Sequence, residues 1–205
     1  MNISIIESML EVSRIQAEID SELIYESILI ESDNKKSPIE KIKEIWKAFV
    51  NAMKRVIDNI KVFVRSNIRN IKYGSKEVEI NDRSEEIKET KMMISDVSSH
   101  MDKLDSLNTV EYEKKVDRTN YKNNKKTMKK SDGVGFYENQ LKDSQQLLNE
   151  ADKVIVTLVK KYEGTNNGFK KDVKIQAVST VMQLIKSNIN KLINEISKDL
   201  KTLLA

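Results

Sequence analysis

The sequence predicts an all-α protein, arranged as an elongated bundle of about five helices. Over most of the chain, apolar residues recur every three or four positions, which is the period of an amphipathic helix. The 205 residues include only five Gly and one Pro, too few turn residues for a β-sandwich or a barrel. Most of the apolar stripes occupy two positions per heptad, so we expect coiled-coil-like packing between the helices.

The first predicted element is an acidic amphipathic helix over residues 1–34. Its apolar positions recur at helical spacing, at Ile5, Met9, Val12, Ile19 and Leu23. Eight acidic residues against one Arg give this segment a net charge of −7. We therefore treat it as a unit distinct from residues 35–205, which form a basic helical bundle. An acidic segment beside a basic one can neutralise it within the same chain, and its removal would uncover the basic face.

The second predicted helix has the clearest local signals in the chain. Ser37 and Glu40 form an S-x-x-E capping box, with Pro38 at the first helical position. The helix should extend to about Tyr73, with Gly74 as its stop, and measure roughly 50 Å. Opposite its apolar stripe lies a basic face. This face consists of Lys47, Lys54, Lys61, Arg65, Arg69 and Lys72.

Three interpretations of this basic face remain open. Residues 35–76 carry a net charge of +9, which an ordinary solvated surface of a bundle helix can accommodate. The row of cations can instead follow a polyanion, and because no aromatic residue stands in the row, such binding would be independent of base sequence. Trp46, Phe49 and Phe63 on the opposite side suit a helix at a membrane surface, but a bundle core uses the same residues and is the interpretation we favour.

The rest of the chain alternates polar connectors with predicted helices. Residues 77–83 are predicted as a charged connector, and a third helix is expected over Ser84–Asn108 because its apolar residues alternate at three and four positions. Residues 109–133 are rich in Lys and Asn with little to bury, which predicts a solvated linker. The helical pattern resumes over Phe136–Tyr162 and again over Phe169–Leu204, the fourth and fifth helices.

No residue pattern in the chain indicates catalysis or metal binding. Cysteine is absent and His100 is the only histidine, so a zinc site or an acid–base dyad has no second partner. The Glu-x-x-His motif of di-iron bundles is missing as well. Gly133 and Gly135 form a single GxG, which does not make a phosphate-binding loop. We therefore expect a protein that is not an enzyme, has no cofactor or metal, and acts on no small-molecule substrate.

Neither a membrane span nor a secretory signal is expected. The sequence contains no run of 18 apolar residues, the length that suggests a transmembrane helix. Its first residues are acidic and lack the basic region followed by an apolar one that marks a signal peptide.

Three short words in residues 1–34 share one pattern, a Leu or Ile two positions before a Glu that is followed by Ser. They are Ile5-Ile6-Glu7-Ser8, Ile24-Tyr25-Glu26-Ser27 and Leu29-Ile30-Glu31-Ser32. Each resembles the Leu/Ile-x-Glu signal cleaved by the prohead proteases of T-even-type tailed bacteriophages. Internal head proteins of those phages carry a removable N-terminal targeting peptide on a small, Lys-rich and often helical body, which is packed with the genome. The acidic leader and Lys-rich helical body of this chain resemble that pattern.

The resemblance implies a structural or internal protein of a phage head, found in the virion interior or the host cytoplasm. Its partners would be capsid or other virion proteins, together with double-stranded DNA bound without sequence preference; homo-oligomerisation stays open. The implied processing sites are Glu7, Glu26 and Glu31, with cleavage expected near Glu26 or Glu31. Removing residues 1–31 would take away seven acids and one Arg and raise the net charge from +4 to +10.

Two other functions fit the same residues. One is a soluble helical module that binds another protein, such as an adaptor or a host-directed inhibitor, with residues 1–34 as a permanent part of its bundle. The other is a peripheral membrane protein that uses residues 38–73.

Overall fold

The computed structural model describes residues 37–68, 76–102, 124–163 and 168–204, and this part of the chain is mostly helical. The predicted all-α class is therefore confirmed. In chain order the elements are helix α1 (Pro38–Asn67), strand β1 (Glu77–Asn81), helix α2 (Ser84–Ser99), strand β2 (Lys125–Lys129), helix α3 (Lys130–Glu163) and helix α4 (Gly168–Leu204). The helix predicted over residues 1–34 lies outside the described residues.

Helix α1 begins where the sequence predicts. The Ser37 hydroxyl accepts a hydrogen bond from the Glu40 backbone N–H at 3.4 Å, and the Glu40 carboxylate accepts one from the Ser37 N–H at 2.8 Å. This reciprocal capping box satisfies two backbone donors at the helix start, where Pro38 has no N–H to leave unpaired. The end expected near Gly74 lies outside the described residues, which contain α1 as far as Asn67.

Helices α3 and α4 form an antiparallel pair, and α1 and α2 each pack against both of them. Helix α1 is antiparallel to α3, whereas α2 is parallel to it. The contacts that set these directions are Lys43 with Glu163 and Lys61 with Gln145 for α1, and Asp82 with Gln140 and Met101 with Tyr162 for α2. The start of α2 and the end of α1 therefore lie at the same end of the bundle as the start of α3.

The apolar stripes of the four helices meet in one core. Every member of the seven-spaced set on α1 is buried, namely Ile42, Phe49, Val56 and Phe63. Trp46 packs beside Phe49, with ring centroids 5.4 Å apart. Fully buried partners on α3 and α4 include Leu148, Ile155, Ile185 and Ile189. Burial of such side chains contributes about 1.5–3 kcal/mol each, so it determines which face of each helix points inward.

A two-stranded antiparallel sheet is the main feature that the sequence analysis did not predict. Strand β1 pairs with β2 in the register that places Glu77 opposite Lys129, so an acidic strand lies beside a basic one. Ile80 is buried, while Glu79 forms an ion pair with Lys125 at 2.6 Å. This alternation of a core-facing residue with charged neighbours is typical of a strand with one face on a core.

Two of the predicted connectors were therefore wrong in part. Residues 77–83 contain β1, and residues 125–133, at the end of the predicted linker, form β2 and the first turn of α3. The strands escaped prediction because each is five residues long and mostly polar, so an alternating pattern depends on one or two apolar residues. The rest of that linker, residues 109–123, lies outside the described residues.

The end of α2 also differs from the prediction. The helix ends at Ser99 rather than at Asn108. The His100 N–H lies within hydrogen-bonding distance of two carbonyls, 3.0 Å from that of Asp96 and 3.3 Å from that of Val97. This shared bond tightens the last turn, a common way for a helix to end.

Helix α3 begins six residues before the predicted Phe136, directly after β2. Gly133 makes this close packing possible, since a Cβ at that position would lie 3.1 Å from Leu203 Cδ2 at the end of α4. The last helix agrees with its prediction within one residue at its start and extends to Leu204 as expected.

Candidate nucleic-acid interface

Helix α1 presents several of the predicted cations on its outer side. Lys47, Lys54 and Arg65 are exposed, whereas the apolar residues of the same helix face the core. At 100° per residue, spacings of seven and eleven positions place these three cations within about 20° of one another around the helix. The row from Lys47 to Arg65 covers roughly 27 Å of helix length. We call Lys47, Lys54, Lys61 and Arg65 the α1 stripe.

Lys61 differs from the other members of the α1 stripe because it is held against α3. Its side chain is 33% exposed, and Nζ donates to Gln145 Oε1 at 2.8 Å. The same Nζ lies 3.7 Å from Oδ1 of Asp58, a carboxylate on the outer side of α1. The positive charge that reaches solvent is therefore carried mainly by the other three cations, with Asp58 reducing it near the middle of the row.

Polar contacts with α3 fix the rotation of α1 about its own axis. Lys43 Nζ lies 3.0 Å from Glu163 Oε1, and Trp46 Nε1 donates to Asp152 Oδ1 at 2.9 Å. Together with the buried core face, these contacts keep the α1 stripe pointing to solvent in a fixed direction. Cations held at regular intervals along a packed helix can contact several phosphates of one polyanion at once.

The aromatic residues that a membrane-surface interpretation requires lie in the core instead. Trp46, Phe49 and Phe63 are 2%, 0% and 5% exposed, which confirms the favoured core interpretation of these residues. An interfacial helix needs a free apolar face to enter the headgroup region, and on α1 this face is covered by α3 and α4. Among the described ranges, no helix combines the length and the apolar character needed to cross a membrane.

Five of the predicted site residues lie outside the described residues. They are Arg69 and Lys72 of the basic face and the processing sites Glu7, Glu26 and Glu31. Where side chains are described, no group of three or more His, Asp or Glu residues is arranged to hold a metal ion.

A second polar cluster, which the sequence did not predict, joins the start of α2 to the end of α4. The Arg83 guanidinium lies 3.0 Å from Asp199, 3.2 Å from Glu195 and 3.4 Å from Glu86, measured between nitrogen and carboxylate oxygen. We call these four residues the Arg83 cluster. Burial raises the pKa of the Glu86 carboxyl, because the guanidinium offsets only part of the lost hydration. The only sequence signal is a charged run, and the Glu195 partner lies 112 positions away.

Neighbouring polar groups complete the hydrogen bonding at this end of the bundle. Asp82 accepts hydrogen bonds from Ser84 and lies 2.8 Å from Lys126 Nζ. Burial acts to raise the pKa of Asp82, but these hydrogen bonds outweigh it and lower the pKa below its usual value. The Tyr137 hydroxyl accepts from the Asn81 N–H at 2.8 Å, and burial raises the pKa of Tyr137 to about 12. The phenol therefore stays neutral at physiological pH and holds β1 to α3.

The two polar regions differ in what they can do chemically. The α1 stripe can bind anions through charge and hydrogen bonding, whereas the charges of the Arg83 cluster are paired with one another. Comparison of the chain with protein-family models, with curated proteins and with solved structures gives no match.

Proposed function

We propose that this protein is a non-enzymatic structural or internal protein of a tailed-phage head, and that the α1 stripe is the surface that lies against DNA. The observation that carries the DNA contact is the exposure of Lys47, Lys54 and Arg65 along one line of a helix whose opposite face is packed. Such a surface can bind an anion without a conformational change, because the three cations are already exposed while the apolar face of α1 stays packed in the core.

The chemistry of the α1 stripe favours phosphate contact without base recognition. Ammonium and guanidinium groups bind phosphate oxygens, and each contact releases counterions condensed on the DNA. The aromatic residues of α1 are buried, so base stacking on this helix would contribute nothing to binding. We expect sequence-independent binding with a Kd of about 10⁻⁴ to 10⁻⁶ M at physiological salt, weakening steeply as salt rises.

The assignment to a phage head is supported by residues 1–34. In this proposal the acidic segment targets or assembles the precursor. In the precursor it is the fifth helix of a coiled-coil-like bundle, and it contacts capsid or other virion proteins. Cleavage near Glu26 or Glu31 then releases it. For a cut after Glu31 the net charge rises from +4 to +10, which strengthens the attraction to DNA.

The DNA contact is tested by removing three cations of the α1 stripe together, in the variant Lys47→Gln, Lys54→Gln, Arg65→Gln. We expect weaker binding to duplex DNA, and a slope of log K against log salt that is smaller by roughly three, one for each lost phosphate contact. A matched control exists on α3, where exposed lysines have the same spacings of eleven and seven. The control variant is Lys142→Gln, Lys153→Gln, Lys160→Gln.

The control separates a binding face from bulk charge, since both variants lose three positive charges. Binding that falls equally in the two would mean that net charge, and not the α1 stripe, attracts DNA. A parent chain that binds no DNA at low salt would remove the proposal and favour the soluble protein-binding module instead.

The processing step is tested by mapping the N-terminus of the native protein by mass spectrometry. A chain that starts at Ser27 or Ser32 in purified virions is the expected result. Virions that contain only the intact N-terminus would contradict cleavage, and absence of the protein from virions would contradict the whole phage-head assignment.

A further inference from the structure

Helix α1 contacts α3 on one side and α4 on the other, and the two contacts differ at the protein surface. On the α3 side, polar contacts bridge the helices at Lys43, Trp46 and Lys61. On the α4 side the surface opens into a groove of about 400 Å³. Ile42, Ile175 and Met182 form its buried apolar floor, and Ile45 of α1 is only partly buried at its edge. We call this feature the α1–α4 groove; it is the edge of α1 with room for another element.

The chain enters α1 at this groove. Pro38, the first residue of the helix, lines it, and residues 1–36 lead directly to that point. The capping box at Ser37 marks the N-terminal end of α1. A helix that precedes it therefore cannot continue along the axis of α1. The sequence of residues 34–36 is polar and predicts a short break between helices, and helices joined by short connectors pack as antiparallel neighbours.

The charges around the groove suit an acidic occupant. Lys41 lines it, and Lys186 lies one turn further along α4 from Met182. The Lys186 ammonium lies 5.8 Å from the centroid of the Phe49 ring, and burial lowers the pKa of Lys186. A carboxylate brought beside this half-buried ammonium would restore part of its lost hydration energy. Residues 1–34 supply eight carboxylates, with apolar positions at helical spacing between them.

We propose that residues 1–34 dock as a helix in the α1–α4 groove, antiparallel to α1. Their apolar stripe packs on Pro38 and Ile45, the apolar residues of the groove that reach its surface, and their carboxylates lie near Lys41 and Lys186. The α1 stripe is strongly basic but consists of charged side chains and is not a groove, so we do not place the docking site there. This inference does not rest on DNA binding, and it is tested without DNA.

Docking at this place leaves the α1 stripe uncovered. Ile45 in the groove and Lys47 in the stripe point about 160° apart around the helix. Removal of residues 1–34 would then strengthen DNA attraction through net charge alone, and the expectation that it uncovers a masked face would be wrong.

The first experiment uses Arg14, the only Lys or Arg among residues 1–34, as a trypsin site. Docking should protect it in the full chain. Ile45→Glu places a carboxylate against the apolar stripe of the segment and should raise the rate of cleavage after Arg14 at least about tenfold. Val62→Glu is the matched control, because Val62 is 59% exposed on α1 outside the groove, and it should leave the rate unchanged. Urea unfolding of both variants checks that the bundle remains folded.

The second experiment locates the segment by cross-linking, for which the absence of cysteine gives a clean background. One chain carries Ser27→Cys with Gln183→Cys at the groove, and the other carries Ser27→Cys with Asn51→Cys on the outer side of α1. A short bis-maleimide should link the first pair within one chain and leave the second pair unlinked.

Each other result overturns the proposal. A link to position 51 would place the segment on the basic side of α1, and a link only between chains would mean that a second copy supplies it. Rapid cleavage after Arg14 in the parent chain, with neither pair linked, would leave the groove to a partner protein. The DNA-binding proposal stands or falls separately, on the charge variants of the α1 stripe.

Discussion

The α1 stripe and the Arg83 cluster both concentrate charge, but they place it in opposite environments. On α1, Lys47, Lys54 and Arg65 remain exposed to water, so they stay hydrated without needing an ionic partner in the core. At the other site Arg83 is 9% exposed, and it is stable there because carboxylates surround it. The same kinds of side chain are therefore available to a partner in one region and hold α2 to α4 in the other.

This difference predicts very unequal effects of removing one arginine from each region. Arg83→Ala should lower the free energy of unfolding by about 3–5 kcal/mol, because Asp199 and Glu86 would remain largely buried without their cation. Arg65→Ala should change it by less than about 0.5 kcal/mol, since the side chain is exposed. Urea unfolding of the two variants and the parent chain measures both values.

Equal losses in the free energy of unfolding for Arg83→Ala and Arg65→Ala would contradict the proposed difference between the two regions. A small loss in Arg83→Ala would mean that water reaches the carboxylates freely, so that the cluster is no more buried in solution than the surface of α1. Arg83→Met is a useful companion, because it keeps much of the side-chain volume and separates the lost charge from a lost contact.

The two regions also show what a sequence can predict. The helices and the placement of Lys47, Lys54 and Arg65 follow from a 3.6-residue period, and the start of α1 follows from its capping motif; both are local properties of the sequence. Lys61 points toward Gln145, which lies 84 positions away in the sequence. Arg83 pairs with Glu195, which lies 112 positions away. No local pattern distinguishes such buried charges from solvated ones, and the same limit hid the pairing of β1 with β2.

The stability that the Arg83 cluster contributes depends on pH through Glu86. Because the pKa of Glu86 is raised above its ordinary value of 4.5, the folded state holds this proton more tightly than the unfolded state. The contribution of Glu86 to stability therefore falls as pH rises through 4.5 toward its folded pKa. The lowered pKa of Asp82 acts in the opposite direction, with stability present above its ordinary value of 3.8 and lost below it.

Glu86→Gln isolates the first of these effects. Relative to the parent chain, this variant should gain stability as the pH rises above the ordinary Glu pKa of 4.5, because the parent then accumulates an incompletely compensated buried carboxylate. Urea unfolding across this rise in pH gives the difference directly. Glu85→Gln, at the exposed neighbour, removes one charge from the same helical turn as a control. A difference between Glu86→Gln and the parent that stays constant with pH would show that Arg83 fully compensates Glu86.

The smallest effect compares two glycines at the start of α3, one packed and one open. Gly135 has no atom within 4 Å of the place where a Cβ would lie, so Gly135→Ala should raise the free energy of unfolding by about 0.5–1 kcal/mol through helix propensity. At Gly133 the added Cβ would meet Leu203 Cδ2 at 3.1 Å and Ile80 Cγ2 at 3.3 Å, so Gly133→Ala should gain less or lose stability. The difference between the two, read from urea unfolding, is the cost of moving Leu203 and Ile80. Equal gains would mean that these side chains shift freely and that the contact of α3 with β1 and α4 is loose, even though it adjoins the buried Arg83 cluster.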